Sequence, residues 1–162
     1  MKQVPEQYLA PVRKFLNYVL GSNNYSDAVI TGGLIRDLTL GNKPKDTDVL
    51  IKTSMTVDDI LAVTSLIKNL HMVEGYGEGH FTDNYKLLLK DVKHDIDYLF
   101  IHDHLTIDKV RFSFDCSLNK GYALPHRGII YPPNLGEFTY DMASGNIQRF
   151  TKFSIMFINQ HN

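Results

Sequence analysis

Cysteine is all but absent: Cys116 stands alone. One thiol cannot close an internal disulfide, which excludes the disulfide-stapled secreted domains. Long apolar runs are missing as well. Leu87-Leu88-Leu89 and Ile155-Met156-Phe157-Ile158 fall far short of the ~18 residues a membrane-crossing helix needs. The amino terminus, Met1-Lys2-Gln3-Val4-Pro5-Glu6, lacks the apolar core of a signal peptide. No internal repeat recurs, and no Pro-rich or Ser/Gly-rich tract divides the chain. Positive charge is not in excess either. The 17 basic and 18 acidic side chains leave a net charge of −1, which argues against a broad nonspecific nucleic-acid surface and leaves room for a local patch. These absences describe a soluble, cytoplasmic protein with no membrane partner.

Core-forming residues are plentiful. Leu, Ile, Val and Phe supply 50 of the 162 residues, well above the ~20% level below which chains stay disordered. A chain of this length is one domain by size and folds without covalent staples. Tyr8, Leu9, Val12, Phe15, Leu16, Val19 and Leu20 recur at helical spacing between Pro5 and Gly21. Ala28 to Thr31 reads as a short buried strand, Leu34 to Leu40 as a brief helix, and Thr47 to Lys52 as a second strand. Thr56 is a helix N-cap with Asp58 and Asp59 in the first turn. Ile60, Val63, Leu66, Ile67 and Leu70 extend that helix to residue 70. Tyr85–Lys90 and Ile96–Ile101 read as a β-hairpin joined across Asp91-Val92-Lys93. A short helix follows Asp103, and then a loop-rich segment with Pro125, Pro132 and Pro133. This order predicts an α+β domain, a mixed β-sheet flanked by helices.

One stretch dominates the chemistry: Ile30-Thr31-Gly32-Gly33-Leu34-Ile35-Arg36-Asp37, Leu40-Gly41 and Lys45-Asp46-Thr47-Asp48-Val49. A strand runs into two glycines and a helix starts directly after them. Glycine lets the backbone approach a ligand, and a helix start presents unpaired N–H groups, so the turn suits phosphate. A Gly-Gly pair alone is an ordinary turn. Asp46 and Asp48, two apart on a strand, project from one side. Adjacent carboxylates repel unless a cation sits between them, and Mg²⁺ is the natural oxygen-ligated counter-ion. An isolated Asp-x-Asp is otherwise a solvated strand end. His94-Asp95-Ile96-Asp97-Tyr98-Leu99-Phe100 offers a third carboxylate. Ile96, Tyr98 and Phe100 face one way and Asp95, Asp97 and Leu99 the other. Asp97, set further into the strand, is favoured, with Asp95 as the alternative.

These residues resemble the head domain of the CCA-adding tRNA nucleotidyltransferases and bacterial poly(A) polymerases, within the DNA polymerase β-like nucleotidyltransferase superfamily. The resemblance is strong over residues 30–50. Fainter matches are Phe114-Asp115-Cys116-Ser117-Leu118-Asn119 and Gly128-Ile129-Ile130-Tyr131-Pro132 with Gly136, Asp141 and Gly145. It implies a single minimal head-like domain over residues 1–162, without the neck, body and tail regions that bind RNA. It implies an enzyme that moves a nucleoside monophosphate from a nucleoside triphosphate to an acceptor hydroxyl, on RNA, a protein or a small molecule. The metal ligands and catalytic residues would be Asp46, Asp48 and Asp97, holding two Mg²⁺ ions, or Mn²⁺ in their place. Gly32, Gly33, Arg36, Lys45, Asp115 and Asn119 would bind the nucleotide. Arg36 either contacts phosphate or locks the loop by pairing with Asp37 or another acid. Phe114 stands where the family has arginine, which removes a charged contact. The alternative function is a catalytically silent nucleotide-binding module, a partner subunit or one half of a toxin–antitoxin pair.

Other features have plainer readings. His94-Asp95 and His102-Asp103-His104 suggest a His-Asp phosphohydrolase, but those proteins are helical and these pairs flank a strand, so they are turn histidines. Cys116 reads as a buried, inert thiol. Gly75-Tyr76-Gly77-Glu78-Gly79-His80 is a candidate flap or a plain connection, and Phe150, Phe153 and Phe157 a core or oligomer contact.

Overall fold

A computed structural model describes residues 3–21, 27–44, 46–73, 84–114 and 120–132. Helix α1 (Glu6–Leu20) buries Leu9, Val12, Phe15, Leu16 and Val19, the stripe expected from its spacing, and ends at Gly21 with φ +83°. Strand β1 (Ala28–Thr31) is wholly buried and passes through Gly32 into α2 (Gly33–Thr39). Strand β2 (Thr47–Ile51) and helix α3 (Val57–Thr64) follow, with the Thr56 hydroxyl accepting from the Asp59 amide as a cap. Next come β3 (Leu70–Met72), β4 (Tyr85–Asp91), β5 (Ile96–Ile101), α4 (Ile107–Phe112), β6 (Tyr122–Ala123) and β7 (Ile130–Tyr131).

The strands form one mixed sheet in the order β3-β4-β5-β2-β1-β6-β7. Its only parallel pair among the described residues is β2 with β5. Alternation splits the side chains between two cores. Ala28, Ile30, Val49, Ile51, Leu89, Ile96, Tyr98 and Phe100 pack under α1 and α3. Val29, Leu50, Leu88, Leu99 and Ile101 face the other way, with Leu105 and Val110 over them. The α+β class and the mixed sheet match the sequence expectation.

Several element boundaries differ from it, α2 (Gly33–Thr39) and β2 (Thr47–Ile51) by one residue. Helix α3 stops at Thr64, six residues early, and Leu70 begins strand β3. The stop carries no Gly or Pro. The Thr64 hydroxyl instead donates to the Ile60 carbonyl, Leu66 is 85% exposed, and Asn69 turns the chain with φ +66°. The hairpin strand β4 also runs through Asp91, whose carboxylate accepts from the amides of Lys93 and His94 and shapes the turn.

Lys86 sits where the β4–β5 register shifts between Tyr85 and Leu87. That irregularity aims its ammonium at the loop between β2 and α3. It donates to the carbonyls of Thr53 (2.9 Å) and Met55 (2.7 Å) and pairs with Asp103 (2.7 Å). Lys86→Met keeps the stem and strands both carbonyls. We expect it to lower stability by about 2–3 kcal/mol in urea unfolding. A change below about 0.5 kcal/mol, the range of ordinary surface substitutions, would show that this tether is idle.

Candidate active site

A row of side chains crosses four strands at one end of the sheet. Thr31 on β1 is paired with Asp48 on β2, Asp48 with Asp97 on β5, and Asp97 with Lys90 on β4. Residues directly paired across strands share a face, so all four lie on the face opposite α1. The Thr31 hydroxyl donates to the Gly121 carbonyl at 2.9 Å, fixing one end of the row. At the other end the Lys90 ammonium lies 3.8 Å from an Asp97 carboxylate oxygen.

The glycine turn is seated on the carboxylates. Gly32 holds φ +73° and ψ −136°, a conformation that only glycine adopts comfortably, and a Cβ there would lie 2.5 Å from Asp48 Oδ2. At Gly33 a Cβ would come within 3.1 Å of Asp46 Oδ1 and 3.4 Å of an Arg36 guanidinium nitrogen. The backbone here is bare on the side that faces the acids. Arg36 and Asp37 are both buried, with Arg36 Nε 3.1 Å from Asp37 Oδ1. Arg36 thus makes the ion pair with Asp37 that one of its two expected roles requires.

Electrostatics mark the row as short of positive charge. Burial, then the carboxylates of Asp97 and Asp46, push Asp48 up from 3.8 to about 7, against the opposing pull of Arg36 and Lys90. Asp97 is also raised, by burial first and then by Asp46 and Asp95, while Lys90 pulls it down. Asp95 itself lies at the exposed turn with φ +53°, where its carbonyl accepts from the Thr47 amide at 2.9 Å. The structure therefore places Asp97, rather than Asp95, opposite Asp48.

Asp46, Asp48, Asp97, Gly32, Gly33 and Arg36 are thus neighbours. Lys45, Asp115, Cys116 and Asn119 lie outside the described residues, as do Gly75 to His80, Phe150, Phe153, Phe157, Gly136, Asp141 and Gly145. Phe114 packs on the second core, where its ring adds apolar cover. The histidines are turn residues: His94 Nδ1 lies 2.8 Å from Asp91, and the His102 and His104 rings stack beyond β5. Lys90 was not apparent from the sequence, and the signal that could have found it is the hairpin register that sets it across from Asp97.

The donor set is all oxygen, which suits a hard divalent cation such as Mg²⁺ or Mn²⁺. Burial first, and then the neighbouring carboxylates, raise the pKa of Asp48, and a bound cation would oppose both. Among the described residues no three His, Cys, Asp or Glu side chains are already drawn into a metal cage. The acids fit such an ion in chemistry and charge, and would have to close around it.

No family model matches the sequence, and neither does any curated protein. Solved structures do match. A tRNA-processing enzyme aligns over 91% of this chain with a TM-score of 0.54 and 16% identity. The CCA-adding enzyme of Bacillus stearothermophilus, determined in complex with CTP, aligns over 91% with a TM-score of 0.51 and 15% identity. The chain shares the fold of these two proteins. The chain spans 36% and 37% of the length of those two proteins. Within that shared fold, β1, the glycine turn, β2 and β5 are the elements that assemble this chain's acidic row. No helix among the described residues is long and apolar enough to cross a membrane.

Proposed function

We propose that the chain is a metal-dependent nucleotidyltransferase that moves a nucleoside monophosphate from a nucleoside triphosphate to an acceptor hydroxyl and releases pyrophosphate. The observation that carries this reading is the register of Asp48 against Asp97, with Asp46 beside them and the glycine turn seated on the acids. The two solved structures sharing the fold are a tRNA-processing enzyme and a CCA-adding enzyme holding CTP. They support a nucleoside triphosphate as donor and an RNA 3′ end as acceptor, ahead of a protein or a small molecule.

Asp46, Asp48 and Asp97 would hold two Mg²⁺ ions, or Mn²⁺, which when bound supply charge neutralisation at the triphosphate and a more acidic acceptor hydroxyl. Positioning and charge do most of the work in phosphoryl transfer. Gly32 and Gly33 contribute by letting the Asp48 and Asp46 carboxylates lie against the main chain, which brings the ions and the triphosphate they would carry close to the turn. Arg36, held by Asp37, adds positive potential at the foot of the turn. Lys90 offsets the charge on Asp97 in the free protein. The acceptor oxygen bonds to the α-phosphorus as the bond to the pyrophosphate oxygen breaks.

Incubation with each α-labelled nucleoside triphosphate, Mg²⁺ or Mn²⁺ and RNA acceptors tests the reading. We expect labelled product, lost by about 10²–10³-fold or more in Asp97→Asn, the scale at which one transition-state contact counts, and nearly unchanged in Asp95→Asn. Equal losses in both would overturn the choice of Asp97. Nucleotide bound with no transfer from any donor to any acceptor would point to the silent module instead.

A further inference from the structure

Behind the acidic row, on the opposite face of the sheet, lies a cavity of about 610 Å³. Three separate segments wall it: helix α1, the turn between α3 and β3, and the β4–β5 turn. Each brings one lysine, Lys14, Lys68 and Lys93 respectively. None of these ammonium groups has a carboxylate partner among the described residues. The one acid in the lining, Asp91, is engaged by the His94 imidazole at 2.8 Å and by two backbone amides. Three exposed cations border one hollow, and an anion inside would be attracted by all of them.

The rest of the wall is mostly apolar, and three of its residues, Phe15, Tyr18 and Tyr98, are aromatic. Tyr18 stands one helical turn beyond Lys14 and is 51% exposed, an unusual state for a large ring at the mouth of a cavity. Phe15 and Tyr98 stack on each other at 3.6 Å and line the interior. Inorganic phosphate would satisfy the lysines and leave the Tyr18 ring bare, whereas a hydrophobic ligand would do the reverse. The volume falls within the range of small-ligand sites, about 300–1,000 Å³, and is too small for an extended strand or a peptide.

We infer that this cavity binds a mononucleotide, its phosphate held by Lys14, Lys68 and Lys93 and its base against the exposed Tyr18 ring. The site uses none of the acids that face the other way, so it stands or falls separately from the proposed transferase activity.

The test is AMP titrated into the ¹⁵N-labelled full chain in EDTA, with adenosine, ribose 5-phosphate and a short polyglutamate as parallel probes. Expected are saturable shifts on α1, residues 66–70 and residues 91–94, unchanged in Asp48→Asn. The Lys14→Glu/Lys68→Glu double variant, both positions being exposed, should weaken AMP about tenfold or more, each charge being worth about 1 kcal/mol. Tyr18→Ala should weaken AMP about tenfold and ribose 5-phosphate hardly at all, because stacking supplies about 1–3 kcal/mol per base. Shifts confined to residues 31–48 would overturn the proposal. So would AMP affinity indifferent to the lysines, or polyglutamate, adenosine or ribose 5-phosphate binding as tightly as AMP.

Discussion

Asp48→Asn removes transfer and, at pH 8, makes the protein more stable. Both halves follow from one carboxylate. In the folded chain burial, then Asp97 and Asp46, push the Asp48 carboxyl up from 3.8 to about 7. Between those two values the folded state keeps a proton that the unfolded state has released. Stability therefore falls as pH rises through this window, and the whole penalty is present above about pH 7. At 1.36 kcal/mol per unit the upper bound is about 4 kcal/mol, and partial solvent access brings it to about 2–3 kcal/mol. Asparagine stays neutral and escapes the penalty. The variant should match the native protein near pH 4 and exceed it by about 2 kcal/mol at pH 8 in urea unfolding. Activity should drop by about 10³-fold, as for loss of a group that acts in the transition state. Mg²⁺ should raise the melting temperature of the native protein more at pH 8 than at pH 5, and leave the variant unmoved, since only the charged acid is stabilised by binding. A variant less stable than the native protein at pH 8 would contradict the burial of an under-compensated charge.

Gly32→Ala carries the second large effect. The left-handed backbone alone costs a side-chain-bearing residue about 1–3 kcal/mol. The new methyl would also stand 2.5 Å from Asp48 Oδ2, so the carboxylate must swing away or the turn must open. We expect a stability loss of about 3 kcal/mol, with nucleotide affinity and transfer both reduced in the fraction that remains folded. Gly33→Ala is the internal control. Gly33 begins α2, and its nearest contact would be 3.1 Å to the exposed Asp46 carboxylate, which can move. Its stability should stay within about 1 kcal/mol of the native value, because alanine is the better helix former. If the two substitutions prove equal in calorimetric unfolding, the special backbone at Gly32 is not what the turn requires.

The parts of the site that depend on short spacings were readable in the sequence. Gly32-Gly33 before a helix and Asp46-x-Asp48 entering a strand are local patterns, and strand parity separated Asp97 from Ile96 and Tyr98. The choice between Asp97 and Asp95 followed from depth within the strand. Lys90 was out of reach because its place beside Asp97 depends on the register between two strands. The end of α3 was misplaced because the stop is made by the Thr64 hydroxyl and a left-handed Asn69 rather than by Gly or Pro. Strand β3 was hidden because Leu70-His71-Met72 is short and half exposed, so its alternation is faint. The cavity lysines could not be grouped at all, since positions 14, 68 and 93 meet only in three dimensions.

The parallel pairing of β2 with β5 has a consequence for how the protein acquires and loses its chemistry. Asp48 and Asp97 are joined by a crossover that contains α3, β3 and β4. Such long closures are made late, after the local hairpin and helices are in place. A nascent chain that has not yet delivered β5 holds Asp46 and Asp48 without Asp97, so divalent-ion affinity should switch on with completion of the sheet. Fraying of either terminus should leave that affinity intact, whereas separation of the central strands abolishes it in a single step. Ion binding would then serve as a reporter of the global fold.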